Sequence, residues 1–200
     1  MSFENSVFIN CPFDPDYEPI LQAIAFTIIA LGFEVRYALE DADNSRIRLQ
    51  KITECISGSK YSIHDISLCK TELEHFYDSK TDNYVENTDY WRLNMPFELG
   101  FDLGAKEFGG KDTKRILVLE NIAYDSKRTL SDISGWDIEA HGLKFDVAMK
   151  KVLLWLVKMS GCKEIAPSKL IGKYSAFQEW RYEKMLHDGF SEDDIKEYST

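Results

Sequence analysis

Two hundred residues, 44% hydrophobic and 13% aromatic, suffice for one well-cored domain with a small appendage and exclude a disordered chain. Against 24 basic residues stand 34 acidic ones, for a formal net charge of -10, which argues against duplex DNA or RNA as a partner. A local basic cleft for a small nucleotide stays open.

The start, MSFENSVFIN, has neither the charged nor the apolar region of a signal peptide. SVFINCPF, from Ser6 to Phe13, reads as a buried strand with a loop at its carboxyl end. From Tyr17 to Leu31, Ile20, Ala23, Ile24, Thr27, Ile28 and Leu31 recur at helical spacing, and Gly32 ends the helix. The run from Ile20 to Phe33 is too short to cross a bilayer, so no membrane contact is expected. Phe33 to Glu40 reads as a second strand, Ile47 to Ile56 as a helix, and Tyr61 to Leu68 as a third strand. The polar and aromatic stretch from Cys69 to Arg92 gives no clear pattern. A helix opening in LNMPFELG follows, then a fourth strand, Arg115 to Asn121, and a fifth in WDIEAHG. Lys144 to Met159 is strongly amphipathic, Ile165 to His187 reads as helix, and Ser191 can cap a short last one.

Strands alternating with helices predict an α/β three-layer sandwich, with a mostly parallel sheet of four or five strands of flavodoxin or Rossmann type. Residues 1–162 form the domain and 163–200 a helical C-terminal extension. In such folds a ligand binds at the carboxyl ends of the strands. The loops there gather Asn10, Phe13, Asp14, Glu40, Arg46, His64, Asp65, Asn94 and Glu98 as candidates. None is a GxGxxG or GxxxxGK[ST] loop, so neither a dehydrogenase dinucleotide site nor a P-loop is expected. His64, His75, His141 and His187 form no HExxH, no Cys/His cluster has zinc spacing, and no metal is expected. Cys11, Cys55, Cys69 and Cys162, without a CxxC, read as reduced thiols of a cytoplasmic protein.

In the LNMPFELG helix, Phe97, Phe101, Gly104 and Phe108 share one side, and Glu98, Asp102 and Lys106 form a polar stripe. Periodicity alone makes that stripe a solvated face with an Asp102–Lys106 pair and makes Glu98 a first-turn acid. Asn94 fits as a cap, a ligand, or both. Arg36, Arg46 and Arg48 lie where one could meet a phosphate. The aromatic tail of Tyr174, Phe177, Trp180 and Tyr182 fits packing on the core or a sister subunit, or stacking on bases.

Three pieces resemble the nucleoside 2-deoxyribosyltransferase-like group, whose Rossmann-type sheet is loosely shared with Toll/interleukin-1-receptor (TIR) domains: Cys11-Pro12-Phe13, Asp65-Ile66-Ser67, and Phe97-Glu98-Leu99-Gly100 with Gly104-Ala105 behind it. The similarity covers about Val7 to Asn121. It implies Glu98 as a carboxylate nucleophile, Asp65 on sugar or base, and Phe13 packed on the base. The long 69–92 insertion departs from the pattern, and Asp102 stands where those enzymes carry a small residue. The chemistry implied is cleavage or transfer of an N-glycosidic bond through an oxocarbenium-like state. The substrate would be a nucleoside, nucleotide or NAD, with no bound cofactor. Asp65 or His64 would protonate the leaving base, and Asp102 could raise the Glu98 carboxyl by like-charge repulsion. By analogy, bacterial defence is one setting for such a reaction. The rivals are a nucleotide-sensing module without turnover and a homo-oligomeric, TIR-like assembly scaffold.

Overall fold

The computed structural model describes residues 2–38, 45–67, 75–78, 80, 83–86, 93–128 and 130–197. In chain order come β1 (Ser6–Asn10), α1 (Glu18–Ala30), β2 (Glu34–Arg36), α2 (Arg48–Ser57), β3 (Tyr61–Asp65), β4 (His75–Asp78), β5 (Asn83–Glu86), α3 (Asn94–Glu107), β6 (Arg115–Glu120), β7 (Glu139–Ala140), α4 (Phe145–Ser160), α5 (Pro167–His187) and α6 (Glu192–Glu197). β4 and β5 make an antiparallel hairpin inside the stretch that had no sequence pattern. The other five strands form one all-parallel sheet in the order β2-β1-β3-β6-β7, as expected for an α/β sandwich of flavodoxin or Rossmann type.

Both faces of the central strands are buried, because helices cover each side. Val7, Ile9, Ile63, Leu117 and Leu119 point to one side and pack on Ile20, Ile24 and Ile28 of α1 and on Ala148, Val152 and Leu156 of α4. Phe8 points to the other side, against Ile52, Cys55 and Ile56 of α2. Val118 and Ile66 meet Met95 and Leu99 of α3 there. Outside α1 and α4 lies α5, whose Leu170 and Tyr174 are buried on Ala23, Met149 and Leu153. α1 closes with Gly32 at φ 87°, the Gly32 N–H donating to Ile29 O and the Phe33 N–H to Ile28 O. At the other end of the chain Ser191 caps α6, its hydroxyl accepting from the Asp194 N–H at 3.1 Å.

Two sequence expectations change. β2 is only three residues long, because Tyr37 already leaves the sheet. α3 is turned the other way round: Glu98 and Asp102 are buried, while Phe97, Phe101 and Phe108 are exposed. Lys106 accordingly pairs with its neighbour Glu107 at 3.6 Å and not with Asp102. Among the described residues, no helix is long and apolar enough to cross a membrane.

Candidate active site

The strand order reverses direction between β1 and β3, and in open parallel sheets the crevice at that point takes the ligand. Register places Asn10 beside His64 at the carboxyl ends of these two strands. Because side chains alternate along a strand, His64 and Asp65 must face opposite sides of the sheet, and each organises a separate buried network.

On the α3 side, the Asn10 amide donates to the Met95 carbonyl at 3.0 Å and to His64 Nδ1 at 2.9 Å. The Met95 carbonyl can only accept, so it fixes which end of the amide is nitrogen. His64 Nδ1 is therefore the acceptor, and its hydrogen sits on Nε2, which donates to Asp102 Oδ2 at 2.9 Å. Beyond Asp102 lies Lys114, fully buried, with Nζ 3.0 Å from Asp102 Oδ1. That contact is ionic and not an aligned hydrogen bond, since the ammonium is aimed at the carbonyls of Ile56, 2.7 Å away, and Ser59. Burial pushes the Asp102 carboxyl up, but His64 and Lys114 more than offset this and hold it below its ordinary range. Burial likewise lowers the Lys114 ammonium, against the pull of Asp102.

On the α1 side, Asp65 is fully buried and accepts from the Tyr17 hydroxyl, from His141 Nε2 at 2.8 Å and from the Ser67 N–H at 2.9 Å. His141 is held by its own loop: the Leu143 N–H donates to Nδ1 at 3.1 Å, which leaves the hydrogen on Nε2. That loop places Gly142 at φ 61° and Leu143 at φ 53°, left-handed backbone that is strained for leucine. Burial pushes the Asp65 carboxyl up, yet the hydrogen bond and charge of His141, with Ser67 and Tyr17 behind it, bring it below its ordinary range.

Glu98, one turn before Asp102, is 7% exposed on the inner side of the first turns of α3. No described residue hydrogen-bonds or pairs with its carboxylate. Burial raises its pKa from 4.5 to about 6, although the Arg48 charge pulls the other way. Asp102 is absent from the causes of that rise, being neutralised by its own partners. Cys11, at the end of β1, senses the charges of both Asp65 and Glu98. Burial first, and then those carboxylates, push its thiol well above the ordinary range, so it stays an unreactive S–H. Arg48 in turn lies 5.8 Å from the centre of the Phe13 ring. Phe13 and Asp14 line a 480 Å3 cavity with Pro12, Leu21, Val35 and Tyr37. A larger groove of 1150 Å3 runs along the edge of β6 past Ile116, Trp136 and Trp155, and neither Glu98 nor Asp65 is among the residues lining this groove or the smaller cavity.

The remaining candidates stand apart. Arg46 pairs with Glu54 on the exposed side of α2. Asn94 is exposed and is already the first residue of α3; the capping position belongs to Leu93, and no side chain caps it. Glu40 lies outside the described residues. Sequence reasoning missed Tyr17, Lys114 and the part played by His141. His141 had a usable signal, since it directly follows the fifth strand and so falls at the same sheet edge. A buried lysine just before a strand leaves none. Among the described residues no group of three His, Cys, Asp or Glu is arranged to hold a metal ion.

The fold and crevice define an α/β sandwich with a carboxylate at its switch point. Set against protein-family models, curated proteins and solved structures, the chain matches none.

Proposed function

We propose that this chain cleaves or transfers the N-glycosidic bond of a nucleoside, a nucleotide or NAD, with Glu98 as the carboxylate beneath the anomeric carbon. The observation that carries this reading is Glu98 itself: a buried acid at the ligand-binding edge of the sheet, without a described partner and with a pKa raised to about 6. Holding that carboxylate largely away from water costs stability at neutral pH, and no described partner offsets the cost.

With that pKa the group is about nine-tenths ionised at pH 7 and available as a nucleophile or an electrostatic stabiliser. As the carbon–nitrogen bond breaks, its electrons leave with the base. A Glu98 oxygen then bonds to the anomeric carbon or balances the oxocarbenium charge, and water or a second base completes the exchange. Phe13 offers an aromatic face to the base, and Arg48 a cation within reach of a phosphate. Asp65 is held ionised by its donors, and the Nε2–H of His64 is engaged with Asp102. Neither has a free proton for the leaving base. The reading therefore favours a base that is already cationic, as nicotinamide is in NAD, or one that solvent protonates.

The same internal saturation of Asn10, His64, Asp65 and Asp102 favours a second reading, a nucleotide-sensing cleft without turnover. Chromatography after incubation with NAD and with a panel of ribo- and deoxyribonucleosides separates the two. Catalysis gives free base from the wild type, reduced at least about a hundredfold in Glu98→Gln. A sensor gives saturable binding and a raised Tm with no product. Base release that survives Glu98→Gln would remove Glu98 from the chemistry.

A further inference from the structure

The outward side of α3 combines two features that none of the described residues explains. Leu93, Phe97, Phe101 and Phe108 are 62, 53, 40 and 91% exposed, and the rings of Phe97 and Phe101 lie 5.1 Å apart in a continuous apolar row. Among them sit Gly100 and Gly104, one helical turn apart. Glycine weakens a helix interior relative to alanine, and packing normally justifies it. Here a Cβ at either position would meet nothing within 4 Å. The space above both glycines is open, with large apolar side chains standing around it.

We propose that this face is a two-fold contact between copies of the chain, with α3 lying antiparallel to α3 of the second copy. A two-fold contact requires one surface to carry both the projections and the hollows that receive them. The α3 sequence does so about an axis passing between Gly100 and Phe101. Phe101 of one copy then lies over Gly100 of the other, Phe97 over Gly104, and Leu93 against Phe108. Each phenylalanine of the first two pairs enters the hollow that a missing side chain leaves, and the third pair closes the ends. No charged residue belongs to any of the three pairs, although the chain carries a net charge of -10. A neutral strip is where two such molecules approach with the least local repulsion.

The apolar area of the face can be set against that of a standard interface. Taking about 200 Å2 for a whole phenylalanine, the four side chains expose roughly 450 Å2 of apolar surface per copy. That lies within the ~300–600 Å2 of the largest apolar patch on a typical monomer, a patch that is often functional, and is more than half of the ~800 Å2 each partner contributes to a standard interface. The aromatic side chains of α5, including Trp180, belong to another face and take no part in this contact.

Sedimentation velocity of the full chain over a range of concentrations tests the contact. The wild type is expected to form a dimer. Phe101→Glu places a charge beside the axis, and Gly104→Leu fills the hollow for Phe97. Each should raise the dissociation constant by more than about tenfold, the scale of a lost central anchor. Gly104→Leu is the more telling variant, because its new side chain finds open space in the monomer and improves the helix. Unchanged or raised thermal stability together with lost association would mark the site as intermolecular. Trp180→Ala should leave the dimer intact. A wild type that stays monomeric at every concentration, or a dimer that survives both α3 substitutions, overturns the proposal, as does a dimer lost in Trp180→Ala alone.

Discussion

Glu98 opposes the fold that holds it. Burial raises its pKa from 4.5 to about 6, so the native state binds that proton more tightly than the unfolded chain does. The stability tied to the protonated form is complete below about pH 4.5 and is lost as pH rises through about 6, a change of at most about 2 kcal/mol. Glu98→Gln, which cannot ionise, should therefore unfold later than wild type in urea at pH 8, while the two nearly coincide at pH 4. Parallel curves at both pH values would mean that the carboxylate is better solvated or paired than its surroundings indicate. The sequence showed an acid after a proline at the start of a helix but not its burial. Burial depends on which side of α3 faces the sheet, and that is settled by residues far away in the chain. Asn94 illustrates the same limit. It has the right type for a cap, yet the helix begins at Asn94 itself, leaving Leu93 in the capping position.

At the level of elements, α3 shows how tertiary partners override a helical pattern. Its aromatic stripe reads as the core face and its acidic stripe as the solvated one. The structure reverses them because Asp102 has buried partners waiting in His64 and Lys114, and Met95 and Leu99 supply enough apolar surface for the contact with β6. Neither partner is adjacent to Asp102 in sequence, so periodicity could not reveal them. Lys114 also clasps the carbonyl end of α2 through Ile56 and Ser59, joining α2 to α3 beneath the crevice. Removing one member of a buried pair leaves the other uncompensated. Lys114→Met should accordingly cost about 3–5 kcal/mol in chemical denaturation. Adding Asp102→Leu should recover part of that loss. A Lys114→Met variant as stable as wild type would show that water reaches Asp102 and that the clasp is dispensable. The parallel strands, by contrast, were legible from short apolar runs ending at polar loops, because burial on both faces leaves little room for polar residues.

For the molecule as a whole, α5 is a packed part of the structure. Leu170 and Tyr174 bury themselves on α1 and α4, and the Gln178 amide bridges Tyr174 and Gln22 at 2.7 Å each. Those two side chains alone correspond to about 3–6 kcal/mol of burial, a large part of the 5–15 kcal/mol typical of a whole domain. A chain ending at Cys162 should thus bind a hydrophobic dye and melt well below the full protein. An unchanged melting temperature would show that α1 and α4 need no cover. Composition and alternation of elements foretold the sandwich, and the aromatic residues of α5 allowed packing on the core, which Tyr174 shows, while Phe177, Trp180 and Tyr182 stay exposed. The strand order carries a further consequence, for the way the chain is made. From β3 onward, each strand of the parallel sheet is added at the same open margin: β3 beside β1, β6 beside β3, and β7 beside β6. No later strand has to wedge between two that are already paired. A ribosome delivering this chain from its amino terminus can let the sheet grow outward as it emerges, with one unfinished margin at a time waiting for the next segment.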